Sequence, residues 1–157
     1  MKIYGGERHG GSVVEATRKL WHNILGGCAS ARFHRPGPRP GLYGVGLSEL
    51  AQTHLRSARL LTTEFDVFNA GPDNALLSER AENEAYCMAE PGRQYAIYFP
   101  DGGAVTLDVS AAQGPLEVRW LDINRSAWQE PETVALNRAL RLEAPGKGQW
   151  AALILAR

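Results

Sequence analysis

The sequence predicts an α+β fold in which a helix-bearing N-terminal half is followed by a small antiparallel β-sandwich. Up to about residue 80, short strand-like stretches alternate with two helical patterns, and from Asn83 onward there are only short strands separated by turns. Alternating strands and helices are typical of α/β units, whereas a run of short strands with turn signals is typical of a sandwich. We therefore expect two domains, residues 1–80 and residues 81–157.

Two helices are predicted in the first half. The first begins at Ser12, which stands three residues before Glu15 as in a capping box, and its apolar positions recur at helical spacing until Gly26. The second runs from about residue 47 to residue 63, with His54 on its apolar stripe. A histidine in such a position is more often a packing residue than a ligand, and we expect this of His54.

The strongest strand signal is the stretch from residue 94 to residue 109. Side chains of its first arm alternate between two faces, and a second alternating arm follows the turn Pro100-Asp101-Gly102-Gly103. A period of two indicates half-buried strands, and the turn between the arms predicts a β-hairpin. Residues 65–77 are predicted to be an irregular linker. Further strands are predicted at residues 85–89, 116–121, 133–136, 139–142 and 150–155.

The composition excludes several classes of function. Seventeen basic residues balance seventeen acidic ones, so we expect neither nucleic acid nor a membrane surface as a partner. No apolar run approaches the ~18 residues of a membrane span, and the N-terminus has no apolar signal segment, so no cellular location is assigned. Cys28 and Cys87 have no metal-site or disulfide spacing and are expected to be buried, and no cofactor or metal is predicted.

The polar cluster Glu7-Arg8-His9 is the main candidate for chemistry. It follows a short predicted strand at residues 2–4, and His34-Arg35 follows the next one at residues 28–33. Loops at the carboxyl ends of strands build active sites in α/β folds, so the two clusters are expected to converge. Glu7 would be a nucleophile or general base, and the other four residues would bind substrate. The alternative is a solvated glycine-rich loop.

Aromatic residues of the second half offer a different candidate. Trp128, Trp150 and Tyr98 would form a platform for a sugar ring if they lay on one surface, with Trp128 as the substrate contact. The alternative is that these residues belong to the core of the sandwich, as aromatic residues of β-sandwiches usually do.

Three motifs of the second half suggest a family. They are the run from Ala85 to Val109, the segment Val118-Arg119-Trp120-Leu121-Asp122, and the segment from Ala144 to Trp150. Their order resembles the small C-terminal β-sandwich that follows the catalytic barrel in apiosidase-like glycoside hydrolases. That sandwich often carries a collagen-binding label, which is not itself evidence of collagen binding. The resemblance covers about residues 84–157.

The first half resembles the end of the (β/α)8 barrel that precedes this sandwich. Residues 3–7 look like the seventh strand with its glutamate, residues 18–27 like the following helix, and residues 47–63 like the eighth helix. The resemblance implies an N-terminal helical remnant of a barrel, with Glu7 as candidate nucleophile of the parent enzyme.

The resemblance leaves this chain without strands one to six and without the proton-donating carboxylate. Because glycoside hydrolysis needs two carboxyl groups, we expect a C-terminal fragment that is not catalytically competent alone. The alternative is a non-catalytic carbohydrate- or protein-binding sandwich with a helical oligomerisation segment. Apolar helix faces left uncovered by the missing barrel predict a homo-oligomer through residues 1–65, and a glycan is the ligand class expected.

Overall fold

The computed structural model describes residues 2–3, 13–28, 32–33, 48–135 and 137–157, and it confirms the α+β class. Helix α1 spans Val13–Leu25 and helix α2 spans Glu49–Glu64. Strand β1, Lys2–Ile3, pairs in parallel with strand β2, Arg32–Phe33. Since α1 lies between these strands in the chain, the segment is the β–α–β unit that the sequence predicts. Neither of the two described helices is long and apolar enough to cross a membrane.

Both helices have local stop or start signals. The Ser48 side chain accepts a hydrogen bond from the backbone N–H of Ala51 at 3.2 Å, which caps the first turn of α2. Helix α1 ends before Gly27, whose φ of +70° is a left-handed conformation that glycine adopts without strain. The predicted bounds of α2 differ from the observed ones by two residues at the start and one at the end.

The second half contains two antiparallel sheets that face each other. The larger has the order β10-β8-β12-β6-β5-β3, with β9 paired to β8, and the smaller has the order β11-β7-β4. The strands are β3 Gly71–Pro72, β4 Leu77–Ser78, β5 Tyr86–Glu90, β6 Gln94–Phe99, β7 Ala104–Asp108, β8 Leu116–Asp122, β9 Ala127–Trp128, β10 Glu132–Val134, β11 Ala139–Glu143 and β12 Trp150–Ala156. Buried side chains from both sheets form the first core, which confirms the sandwich.

The predicted hairpin is wrong. Strand β6 pairs with β5 and β12 in the larger sheet, whereas β7 pairs with β4 and β11 in the smaller one. The turn at residues 100–103 therefore carries the chain from one sheet to the other. Gly103 has a φ of +111°, and a Cβ on Gly102 would lie 2.5 Å from the carbonyl oxygen of Gly146, so glycine is required at both positions.

Strand β6 is buried on both faces, not half-buried as predicted. Tyr95, Ile97 and Phe99 enter the first core between the sheets. Ala96 and Tyr98 enter a second core, which the two helices form against the outer face of the larger sheet. The helical residues of this second core are Trp21, Leu25, Ala58, Leu61 and Phe65. Helices and sandwich thus share one apolar interface.

The segment predicted to be an irregular linker is more ordered than expected. Residues 71–72 and 77–78 add strands β3 and β4 to the two sheets, and a single 3₁₀ turn, Asn74–Leu76, connects them. The Asn74 side chain accepts a hydrogen bond from the backbone N–H of Cys87 at 2.8 Å. This side chain thereby replaces a strand partner at the start of β5, a contact that local sequence does not indicate.

Candidate functional site

The predicted catalytic cluster lies outside the described residues. This applies to Glu7, Arg8, His9, His34 and Arg35. The structure does describe the short strands that precede the two groups, and β1 and β2 run parallel as neighbours. Carboxyl ends of parallel neighbours lie at the same edge of a sheet, which is consistent with the expected convergence. The roles of the five residues remain predictions.

Trp128, the remaining predicted site residue, lies in β9 and is half-buried against the second core. The guanidinium carbon of Arg119 lies 4.6 Å from the centroid of its ring, in cation–π contact. Arg119 also forms an ion pair with Glu64 at the end of α2. The indole N–H of Trp128 has no hydrogen-bond acceptor in the described part of the chain. Its role as a sugar contact remains a prediction.

The three predicted platform residues do not share a surface. Tyr98 is fully buried, and its hydroxyl donates to the side-chain oxygen of Gln149 at 2.6 Å. Trp150 packs against the first core, whereas Trp128 and Tyr98 pack against the second. The platform interpretation is therefore wrong, because residues that lie on opposite faces of a sheet cannot stack on the same sugar.

A hydrogen-bonded chain, here called the polar seam, joins the helices to the sandwich at His54. The indole Nε1–H of Trp21 donates to His54 Nδ1 at 3.1 Å, and His54 Nε2 lies 3.2 Å from the side-chain oxygen of Asn124. Since Nδ1 accepts, the proton resides on Nε2, which donates to Asn124. Burial lowers the pKa of His54, and the hydrogen bond to Asn124 opposes this in part. The prediction of a packing histidine is confirmed.

Two serines extend the polar seam along α2. The hydroxyl of Ser57 donates to the backbone oxygen of Ile123 at 2.7 Å, and the hydroxyl of Ser126 donates to the backbone oxygen of Thr53 at 2.9 Å. Ser126 has a φ of +52°, which a non-glycine residue adopts only where its surroundings hold it. These contacts fix α2 against the turn between β8 and β9.

The cysteines differ from each other. Cys87 is buried as predicted, and burial, with a smaller contribution from Asp73, raises the pKa of its thiol to about 12. It is therefore no nucleophile at neutral pH. Cys28 is exposed, contrary to prediction, because it lies just beyond the end of α1. Among the described ranges, no three histidine, cysteine or acidic side chains are placed to bind a metal ion.

Another feature is a polar cleft of about 400 Å³ at one end of the larger sheet. Four segments meet there: the connection after α2, the turn between β5 and β6, the connection between β7 and β8, and the end of β12. The residues lining it are Asp66, Asn69, Glu90, Gly92, Arg93, Gln94, Gln113, Leu155, Ala156 and Arg157. Sequence reasoning missed this cleft, because its residues come from four separate segments and form no local motif.

Comparison with known proteins supports the fold. No protein-family profile matches the sequence, and no curated protein sequence does. A solved structure described as a glycoside hydrolase matches with a TM-score of 0.72 and 13% identity over 90% of this chain. A glycoside hydrolase family 5 protein from Bacteroides vulgatus matches with a TM-score of 0.70 and 11% identity over 92% of this chain. In both cases the match covers 36% of the other chain, so this chain has the fold of one part of a glycoside hydrolase.

Proposed function

We propose that this chain is the C-terminal portion of a glycoside-hydrolase-like protein of the apiosidase-like type, and that it does not hydrolyse glycosides by itself. The observation that carries the proposal is the fold likeness, which extends through both halves of this chain but covers 36% of the matched glycoside hydrolases. A complete (β/α)8 barrel needs roughly 200 residues or more, which exceeds the 157 residues present.

In this proposal Glu7 is the candidate nucleophile of the parent barrel, as the resemblance implies, and Arg8, His9, His34 and Arg35 are candidate substrate contacts. A retaining glycosidase holds its second carboxyl group ~5 Å from the nucleophile, and an inverting one holds it ~6.5–9.5 Å away. The resemblance supplies a single candidate, Glu7, so the proton donor must come from elsewhere in the parent protein.

The sandwich has a supporting role in this proposal. The helices α1 and α2 follow the two strands whose carboxyl ends precede the candidate residues. Buried contacts of Trp21 and Leu61 with the larger sheet, together with the polar seam at His54, hold both helices in place. Support of this kind gives the two helices a rigid base, and a rigid scaffold is what the positioning of catalytic groups requires.

The test is a hydrolysis assay of the purified 157-residue chain on a panel of aryl α- and β-glycosides. We expect no release of the aryl group above the buffer blank, and no difference between the unmodified chain and Glu7→Gln. Release that Glu7→Gln abolishes would overturn the claim of inactivity. A glycosidase of known activity in parallel wells establishes the detection limit.

A second candidate function is that of a non-catalytic glycan-binding module. It is favoured by the polar cleft and by the half-buried Trp128, whose indole N–H has no acceptor among the described residues. Collagen is not part of this proposal, since the label carried by the resembled domain is not an observation on this chain. Loss of glycan binding in Trp128→Ala would place the ligand at the tryptophan, and unchanged binding would exclude that residue.

Self-association through residues 1–65 is proposed as well. Val14 on α1 and Leu55 on α2 are the large apolar side chains exposed on the described helices. Sedimentation velocity at increasing protein concentration tests this, and we expect the oligomer to dissociate in Leu55→Glu. A strictly monomeric profile of the unmodified chain at high concentration would refute it.

A further inference from the structure

We propose that the polar cleft binds the end of a neutral oligosaccharide; the inference rests on the glycan-binding candidate above and names its site. The volume of about 400 Å³ lies within the range of roughly 300–1,000 Å³ that small-molecule sites occupy. Unlike most such sites, this cleft is lined mainly by charged and amide side chains. Its chemistry must therefore come from hydrogen bonding more than from apolar burial.

The side chains on one side of the cleft are held in fixed positions. The amide nitrogen of Gln94 donates to the carboxylate of Glu90 at 2.9 Å and to the backbone oxygen of Asp66 at 3.2 Å. Its carbonyl oxygen accepts from the backbone N–H of Asp66 at 2.9 Å. Arg93 donates to the other oxygen of Glu90 at 2.9 Å. A network fixed before binding reduces the ordering cost that a ligand would otherwise impose.

The network leaves hydrogen-bonding capacity directed to solvent. Arg93 is 76% exposed and uses one of its five donors in the pair with Glu90. The amide of Gln113 makes no hydrogen bond within the described part of the chain, and it offers both a donor pair and an acceptor. Donors and acceptors thus occur together, which matches sugar hydroxyl groups because each hydroxyl both donates and accepts.

The charge balance of the cleft favours a neutral ligand. Asp66 and Glu90 contribute two carboxylates, and Arg93 and Arg157 contribute two guanidinium groups. Each guanidinium is already paired with a glutamate, Arg93 with Glu90 and Arg157 with Glu117. The side-chain hydrogen bond from Asn69 lowers the pKa of Asp66, so this carboxyl group is ionised at neutral pH. The two carboxylates would repel a phosphate, and the two guanidinium groups would repel a polyamine. Neither pair repels an uncharged saccharide.

An exposed aromatic residue belongs to the turn that contributes Asp66 and Asn69 to the cleft. Phe68 is 95% exposed and lies in the chain between Asp66 and Asn69, which both line the cleft. The carboxylate of Asp66 accepts from the backbone N–H of Phe68 at 3.0 Å and of Asn69 at 3.3 Å, so the turn that presents the ring is ordered. A phenyl ring exposed to water is stabilised when a sugar face packs on it, because apolar area is then removed from water.

The experiment starts from an array of neutral plant, microbial and animal oligosaccharides, probed with the full 157-residue chain. The best ligand is then titrated into isotope-labelled protein and followed by ¹H–¹⁵N NMR. We expect fast-exchange shifts of the amides at residues 66–69, 90–94 and 113. We also expect a Kd between about 10 μM and 1 mM, corresponding to roughly −7 to −4 kcal/mol.

Single-residue variants decide the assignment. Phe68→Ala and Gln113→Ala should each weaken binding about fivefold or more, and their unfolding midpoints should stay unchanged because both side chains are exposed. Arg125→Ala is the matched control, an exposed arginine paired with Asp122 at the opposite end of the larger sheet. Its affinity should equal that of the unmodified chain.

Three outcomes would overturn the proposal: no array ligand shifts the cleft amides, the two cleft variants bind as tightly as the control, or the shifts centre on Trp128. Binding of phosphate or of an anionic sugar in place of neutral ones would overturn the choice of ligand class. The result is separable from the proposed fragment identity, since hydrolysis that depends on Glu7 would refute inactivity and leave binding in the cleft unaffected.

Discussion

Replacing His54 with alanine tests how strongly the polar seam stabilises the fold. The imidazole is fully buried and bridges Trp21 and Asn124. Its removal leaves the buried indole N–H of Trp21 without an acceptor, which costs about 1–3 kcal/mol. The space vacated by the ring adds about 2–3 kcal/mol, as for other large-to-small core changes. We expect a total loss of about 3–6 kcal/mol, a large part of the 5–15 kcal/mol typical of a small protein.

The assay is urea unfolding followed by circular dichroism at pH 8, where His54 is neutral. A double-mutant cycle with Trp21→Phe isolates the hydrogen bond, because phenylalanine has no N–H to leave unpaired. We expect the double variant to be about 1–2 kcal/mol more stable than the sum of the single effects predicts. Arg59→Ala, on the exposed side of α2, should stay within about 0.5 kcal/mol of the unmodified protein. Additive effects, or a loss below about 1 kcal/mol for His54→Ala, would refute the reasoning.

Three further predictions concern pH, a glycine and a thiol. Burial lowers the folded-state pKa of His54 and of His22, so the unfolded chain binds more protons than the folded one below about pH 6.5. The free energy of unfolding should therefore be constant with respect to these two groups above about pH 6.5 and decrease as the pH falls below it. Thermal unfolding between pH 8 and 5 measures this. Gly103→Ala, at a φ of +111°, should lower the free energy of unfolding by about 1–3 kcal/mol, whereas Gly146→Ala, with open space around it, should not; equal stabilities would contradict this. In the native protein a thiol reagent should modify the exposed cysteine after α1 and leave Cys87 unmodified, and two rapidly reacting thiols would show the burial to be wrong.

Local periodicity was sufficient to predict most elements. The sequence predicts α2 at residues 47–63, and the helix spans Glu49–Glu64. It predicts β12 at residues 150–155, and the strand spans Trp150–Ala156. Apolar spacing determines which residues share a face, and capping or turn residues mark the ends. The same reasoning identified His54 as a packing residue from its place on an apolar stripe.

Local periodicity could not predict which strands pair with each other, nor that both faces of β6 are buried. The alternation in β6 indicates two faces but not which strand lies beside it, so a turn between sheets resembled a hairpin turn. The small Ala96 and the amphipathic Tyr98 suit an exposed face as well as a helix-covered one. The tertiary structure reveals the second core, for example in the packing of Trp21 against Tyr98 with ring centroids 5.6 Å apart.

The two candidate sites differ in how much of each can be predicted from the sequence. Glu7 and His34 are predicted site residues because each follows a predicted strand, a relation that depends on order along the chain. The polar cleft brings Asp66 near Glu90 and Arg157 through the fold alone. A site of this kind has no signature within any one segment, so it becomes recognisable only after the strands are paired.

The double burial of β6 has an evolutionary consequence. A sandwich with a solvated outer face folds independently, so its gene segment can be duplicated or moved to another gene. Here that face carries Met88, Tyr98, Leu121 and Leu153, which would meet water if the helices stayed behind. Recombination that cuts the gene near codon 80 would therefore yield an aggregation-prone protein with an exposed apolar sheet face, which chaperones and proteases would remove. Descendants of this chain should inherit the two helices and the sandwich as a single hereditary unit.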